Sequence, residues 1–157
     1  MVKPDVIIIP KEKTVFRMDG NGRWYNESGK FEKKKIIDYF HAAIHRDEQG
    51  YFLQQEKDGY LEKAYFQYED TALFVFHVTL GDSVHLRLNT GRELELDPKN
   101  LFIKNDNLYL RLEGETVKFT DRAMMQIAAI LEEKDDACMI RIKEKTFHIP
   151  EIPENDS

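Results

Sequence analysis

Glu69-Asp70 is the acidic pair in this chain best placed for chemistry. It stands just ahead of Ala72-Leu73-Phe74-Val75-Phe76, a run apolar on both parities, where a turn would lift it to a rim. Neighbouring residues on an extended chain point to opposite faces, so the two carboxylates share a ligand only if the backbone turns there. A ligand contact and a turn or capping role are both open. Further on, Arg87 could meet an anionic group, with Asn89 and Thr90 beside it. Trp24, next to Arg23, could stack on a planar one, and equally could cover a hairpin against a helix. A sugar hydroxyl or an amine would suit the two acids. A small hydrolase with Glu69 or Asp70 as base ranks last, because no nucleophile or metal accompanies them.

Other chemistry-bearing residues suggest less. His41 and His45 would be i, i+4 on a helix, a metal-chelating spacing, but the glutamate of H-E-x-x-H is missing and no third ligand is near. An exposed helix face accounts for them. His77 and His85 flank a turn at Gly81-Asp82 and would point to opposite faces, and His148 lies on a terminal strand. Cys138, the single cysteine, stands in an apolar strand and reads as a buried, inert thiol. Asp19-Gly20-Asn21-Gly22 has the look of a calcium loop without the later acidic ligands, so a hairpin turn is the better reading. No nucleophile elbow, phosphate loop, dinucleotide fingerprint or Cys-x-x-Cys pair occurs. No catalytic residue, metal ligand or cofactor is assigned.

The bulk properties limit the partners. The chain has 157 residues and a formal charge of −6, which disfavours a nucleic-acid backbone. Lys33-Lys34-Lys35 is the one basic cluster, and it opens a mixed-charge helix. One cysteine allows no internal disulfide, as in a reducing compartment. Val6-Ile7-Ile8-Ile9 is too short for a signal-peptide core and far below the ~20 apolar residues of a membrane span. A cytoplasmic protein without a membrane partner is the expectation, and the oligomeric state is not readable.

The elements that must position these groups follow from periodicity. Residues 1–13 form a lead-in with a short edge strand at Val6–Ile9. A hairpin follows around Asp19–Gly22, then a helix from about Glu32 to Arg46, with Ile36, Ile37, Phe40, Ala43 and Ile44 on one stripe. Asp58-Gly59 signals a type I′ turn that pairs Leu53 with Ala64. The run at 72–76 belongs in the middle of a sheet. A loop at Thr90-Gly91-Arg92 would set Leu88 against Leu94 and Arg87 against Glu95. Leu101–Lys104 and Leu108–Leu112 make a hairpin, and Thr120 caps a helix running to about Lys134. Two strands close the sheet, and Glu151–Ser157 should fray.

Residues 15–66 and 101–149 read as two copies of one unit. Setting Tyr51-Phe52-Leu53 on Cys138-Met139-Ile140, a shift of 138 − 51 = 87, places Ile37, Phe40 and Ile44 on Met124, Ile127 and Leu131, and Tyr60 on Phe147. The fold class is therefore α+β, two related units of antiparallel strands packed on one helix, with about ten strands in all. The boundaries are 14–97 for the first unit with the central strands, 98–150 for the second, and 151–157 for a tail.

Asp19-Gly20 through Trp24, the helix through Phe40, Arg46-Asp47-Glu48-Gln49-Gly50-Tyr51-Phe52-Leu53 and Tyr68-Glu69-Asp70-Thr71-Ala72 resemble, in this order, the motifs of the bacterial domain-of-unknown-function family 1285. Thr71 and Ala72 stand where that family usually has Ala and Pro. The resemblance implies a duplicated α+β core whose second half is loosely pleckstrin-homology-like. It also implies a groove between the halves for a small, nucleotide-like ligand in a signalling role, and it implies no activity. The expected function is a small-ligand-binding or regulatory module touched by Trp24, Glu69, Asp70, Arg87, Asn89 and Thr90. A protein–protein adaptor is the alternative.

Overall fold

The computed structural model describes residues 5–153. Its contacts divide the chain into unit 1, Met1–Ala72, and unit 2, Leu73–Ser157. Among the described residues there are sixteen strands and two α-helices, so the protein is mixed α+β and richer in strands than expected. The division falls at 72/73 because the central strands, expected with the first unit, hydrogen-bond to strands of the second.

Unit 1 contains β1 (Asp5–Ile9), β2 (Arg17–Met18), β3 (Trp24–Asn26), β4 (Gly29–Lys30), α1 (Lys34–Ala42), β5 (Ile44–Asp47), β6 (Gly50–Lys57) and β7 (Tyr60–Tyr65). Strands β2, β3 and β4 form a small antiparallel sheet. Asp19-Gly20-Asn21-Gly22 is the hairpin turn expected, with Asp19 Oδ1 accepting the N–H groups of Asn21 and Arg23 at 2.9 Å each. Strands β5 to β7 form an antiparallel meander, and β1 adds to β7 in parallel.

Helix α1 is shorter than its periodicity predicted. It opens at Lys33 with no side-chain cap and no acid in its first turn. Three lysines there oppose the helix dipole. It ends at Ala42, because Ile44 leaves the helix to pair with Leu53, and Gln54 N–H reaches Ala43 O at 2.9 Å. A β-branched residue packs better on the pleated sheet than in a fraying last turn. His41 and His45 are therefore not on one helix face, and Ile36 is left 49% exposed.

The Asp58-Gly59 turn has φ of 52° and 80°, the positive pair that type I′ requires, and Leu53 lies opposite Ala64 as predicted. A Cβ added at Gly59 would meet nothing within 4 Å, so a side chain there costs backbone strain alone. Gly59→Val should lower stability by about 1–2 kcal/mol, read from the urea midpoint at unchanged m-value.

Unit 2 contains β8 (Leu73–Thr79), β9 (His85–Leu88), β10 (Glu93–Glu95), β11 (Leu101–Lys104), β12 (Asn107–Leu112), β13 (Glu115–Phe119), α2 (Asp121–Ile127), β14 (Leu131–Lys134), β15 (Ala137–Ile142) and β16 (Lys145–Ile149). A six-stranded sheet runs β10-β9-β8-β13-β12-β11. Its centre is β8, whose Leu73, Phe74 and Val75 are buried, as a strand apolar on both faces should be. It pairs with β13 in parallel, so neither unit is purely antiparallel.

The β9–β10 register differs from expectation. Leu88 N–H bonds to Arg92 O, which leaves Asn89, Thr90 and Gly91 in the loop and sets Arg87 opposite Glu93. Asn89 leaves the ladder because it is claimed by β8. Its N–H reaches Phe74 O and its Oδ1 accepts Phe74 N–H, both at 2.9 Å.

Helix α2 begins as predicted, with Thr120 Oγ1 accepting Ala123 N–H at 3.2 Å and donating to Val75 O at 3.1 Å. It too ends early. A 3-10 turn at Ala128–Ile130 leads into β14, which pairs with β15, and β16 completes a separate three-stranded sheet. Ala128 is exposed, and Leu131 lies beyond the helix and faces Ile140 across the ladder. Residues 151 and 152 do not fray: Glu151 bridges Ile103, and Ile152 N–H reaches Ile103 O at 2.7 Å. The rest of the expected tail, 154–157, and the first four residues of the lead-in lie outside the described residues.

Candidate functional site

Unit 2 holds a cavity of about 510 Å³, within the range of small-molecule sites. Four pieces of chain wall it. The β11–β12 hairpin supplies Ile103, Asp106, Asn107 and Leu108. Met124 of α2 enters from the helix, with Leu131 and Glu133 two apart on β14 and therefore on one face. The β14–β15 turn and the end of β16 add Asp136, Cys138, His148 and Ile149, with Glu151 beyond. The floor is apolar and Leu108 and Ile149 in it are buried, while the carboxylates stand exposed at the rim. Burial pushes the Cys138 thiol up, and the Glu133 carboxylate adds to that. The sulfur is thus a half-buried wall atom whose thiolate form is disfavoured.

The residues singled out from the sequence lie elsewhere. Trp24, Glu69 and Asp70 belong to unit 1, and Arg87, Asn89 and Thr90 to unit 2. None of the six lines the cavity. Glu69 and Asp70 are exposed ahead of β8, and Arg87 is exposed on β9 opposite His77 and Glu93. Asn89 is buried against the Phe74 backbone.

Trp24 is 1% exposed. Phe66 lies 4.8 Å from its ring centre, Phe40 5.3 Å and Phe16 6.0 Å, all edge-on. Its Nε1–H donates to His41 Nδ1 at 3.2 Å, and burial pulls the His41 pKa down to about 4. The groove of unit 1, walled by Phe16, Tyr39 and Phe40, measures only about 80 Å³.

His77 Nδ1 and the Val78 N–H are both taken by Gln126 of α2, at 3.1 and 2.8 Å. Asp47 is held below the usual carboxylate range, chiefly by the Tyr65 hydroxyl. Among the described residues, no three His, Cys, Asp or Glu side chains stand close enough together to hold a metal ion. Nor is any described helix long and apolar enough to cross a membrane.

The chain matches no family model and no curated protein. Solved structures do match it. A DUF1285 family protein from Silicibacter pomeroyi aligns over 93% of this chain and 82% of its own, with a TM-score of 0.63 at 12% identity. A second from Shewanella baltica aligns over 76% and 94%, with a TM-score of 0.54 at 20% identity. The fold is that of the DUF1285 proteins. The motifs from Asp19-Gly20 to Glu69-Asp70 and the structural likeness agree on this fold.

Sequence reasoning missed the cavity because its walls come from four separated segments. One signal was present: Glu132, Glu133, Asp135 and Asp136 crowd acid around a single hairpin, next to the only cysteine.

Proposed function

We propose that this chain is a small-ligand-binding module, of the bacterial and cytoplasmic kind, with its ligand in the unit 2 cavity. The observation that carries this reading is the cavity itself: a roughly 510 Å³ space with an apolar floor and a polar rim. A thermal-shift screen against a metabolite library tests it. Stabilising hits are expected, and Met124→Trp, which fills the cavity from α2, should abolish them. Hits that survive Met124→Trp would place the ligand elsewhere, and a screen without hits would remove the reading.

We also propose that the two units are related by duplication. Each contains a three-stranded meander, a helix and a second three-stranded meander in that order. The Ile44–Leu53 and Leu131–Ile140 pairs are offset equally, since 131 − 44 and 140 − 53 are both 87. Beyond them the match shifts. Leu53 faces Ala64 while Ile140 faces Phe147, so Ala64 and not Tyr60 corresponds to Phe147. The β6–β7 hairpin of unit 1 is simply longer. The pleckstrin-homology-like character of the second half rests on the family resemblance alone.

A protein–protein adaptor is the second reading, favoured by β1. This edge strand exposes Val6, Ile7 and Ile8 at 52%, 42% and 58%. Apolar side chains beside an open strand edge suit strand addition.

A further inference from the structure

We infer that the ligand of the unit 2 cavity is an amine: a cationic head on an apolar body. The inference rests on the ligand-binding reading above and specifies its chemistry. Four carboxylates line the cavity, those of Asp106, Glu133, Asp136 and Glu151, and no lysine or arginine does. None of the four forms an ion pair with a described residue. A concave site lined by charges of one sign concentrates the opposite charge. Below the rim the surface changes character. Ile103, Leu108, Leu131 and Ile149 offer contact to hydrocarbon and nothing to a phosphate. A phosphate-bearing ligand would bring its charge to a rim of four carboxylates, with no lysine or arginine in the lining to receive it. An ammonium group at the rim with an aromatic or aliphatic body on the floor satisfies both halves.

Cys138 makes this testable, because it is the only thiol in the chain and it lines the cavity. The probes are phenethylamine, phenylethanol and phenylpropionate, which share a ring and differ in charge. Each is added to the full chain at pH 8, and the rate of Cys138 alkylation by iodoacetamide is followed by intact mass. Phenethylamine should slow alkylation at the lowest concentration, phenylethanol at a higher one and phenylpropionate least. In the double variant Glu133→Gln, Glu151→Gln the half-protecting concentration of the amine should rise about threefold or more, while that of phenylethanol stays put. Both positions are exposed, so the variant keeps its fold, which a thermal melt confirms.

Equal or better protection by phenylpropionate would overturn the amine assignment and leave the ligand-binding reading standing. An amine effect that the double variant does not weaken would also overturn it. If none of the three probes protects Cys138, and Met124→Trp leaves its alkylation by iodoacetamide unchanged, the cavity is not a ligand site and both readings fall together.

Discussion

Trp24→Ala is expected to lower the stability of unit 1 by about 3–5 kcal/mol, the range for removing a fully buried aromatic side chain. The cause is the cavity left among Phe16, Phe40 and Phe66, whose rings meet the indole edge-on. Packing on α1 would suffer most, since that helix has no cap and an unfavourable first turn, and Phe40 and His41 tie it to Trp24. For a unit of this size the loss corresponds to a fall in Tm of more than about 10 °C, measured by far-UV circular dichroism. Trp24→Phe should cost less, because it keeps most ring contacts while His41 Nδ1 loses its donor. A surface tryptophan that only stacks on a ligand would behave otherwise. Its removal would leave the melt unchanged, and that outcome would return Trp24 to the binding residues.

The second large effect is expected from acid. His41 is buried with its Nδ1 accepting from Trp24, so the folded protein holds it neutral and lowers its pKa from 6.5 to about 4. Desolvation dominates, and the nearby Asp38 carboxylate opposes it only in part. Between those two values the unfolded chain binds a proton that the folded chain refuses. Stability is therefore complete above about pH 6.5 and falls as the pH drops toward 4. At about 1.36 kcal/mol per unit, the loss over this window is about 3 kcal/mol. Urea titrations at a series of pH values, followed by the fluorescence of Trp24, the only tryptophan, read it directly. His41→Gln keeps an acceptor for the indole and cannot titrate, so its stability should be flat across that window apart from the carboxylates. Parallel slopes for the parent and His41→Gln would mean that another group carries the acid sensitivity.

Local rules were legible in the chain wherever a few adjacent residues decide the geometry. Asp58-Gly59 turned as its residue types require, and Thr120 capped the helix it precedes. The both-faces-apolar run around Phe74 lies in the middle of a sheet, because only a covered strand can bury two faces. Other turns were not legible. Lys143 and Glu144 adopt φ of 51° and 66° with neither Gly nor Asn, so that hairpin is imposed by the pairing of β15 with β16 and not by its turn residues.

The sequence by itself determined that this is an α+β chain of acidic charge with two amphipathic helices, each leading into a strand hairpin, and it carried enough of the DUF1285 motifs to point to that fold. Periodicity and turn chemistry act within a dozen residues, and these features live at that range. Only the tertiary structure decided where helices yield to strands, that β8 joins β13 in parallel, that Trp24 is core, and that the cavity opens among Met124, Cys138 and Ile149. Each of those outcomes is a competition between a local preference and partners far along the chain. Ile44 continues the helical stripe on paper, yet Leu53 offers it a covered place on the sheet. A cavity has no local signature at all, because it is the space that distant segments leave between them when each satisfies its own packing.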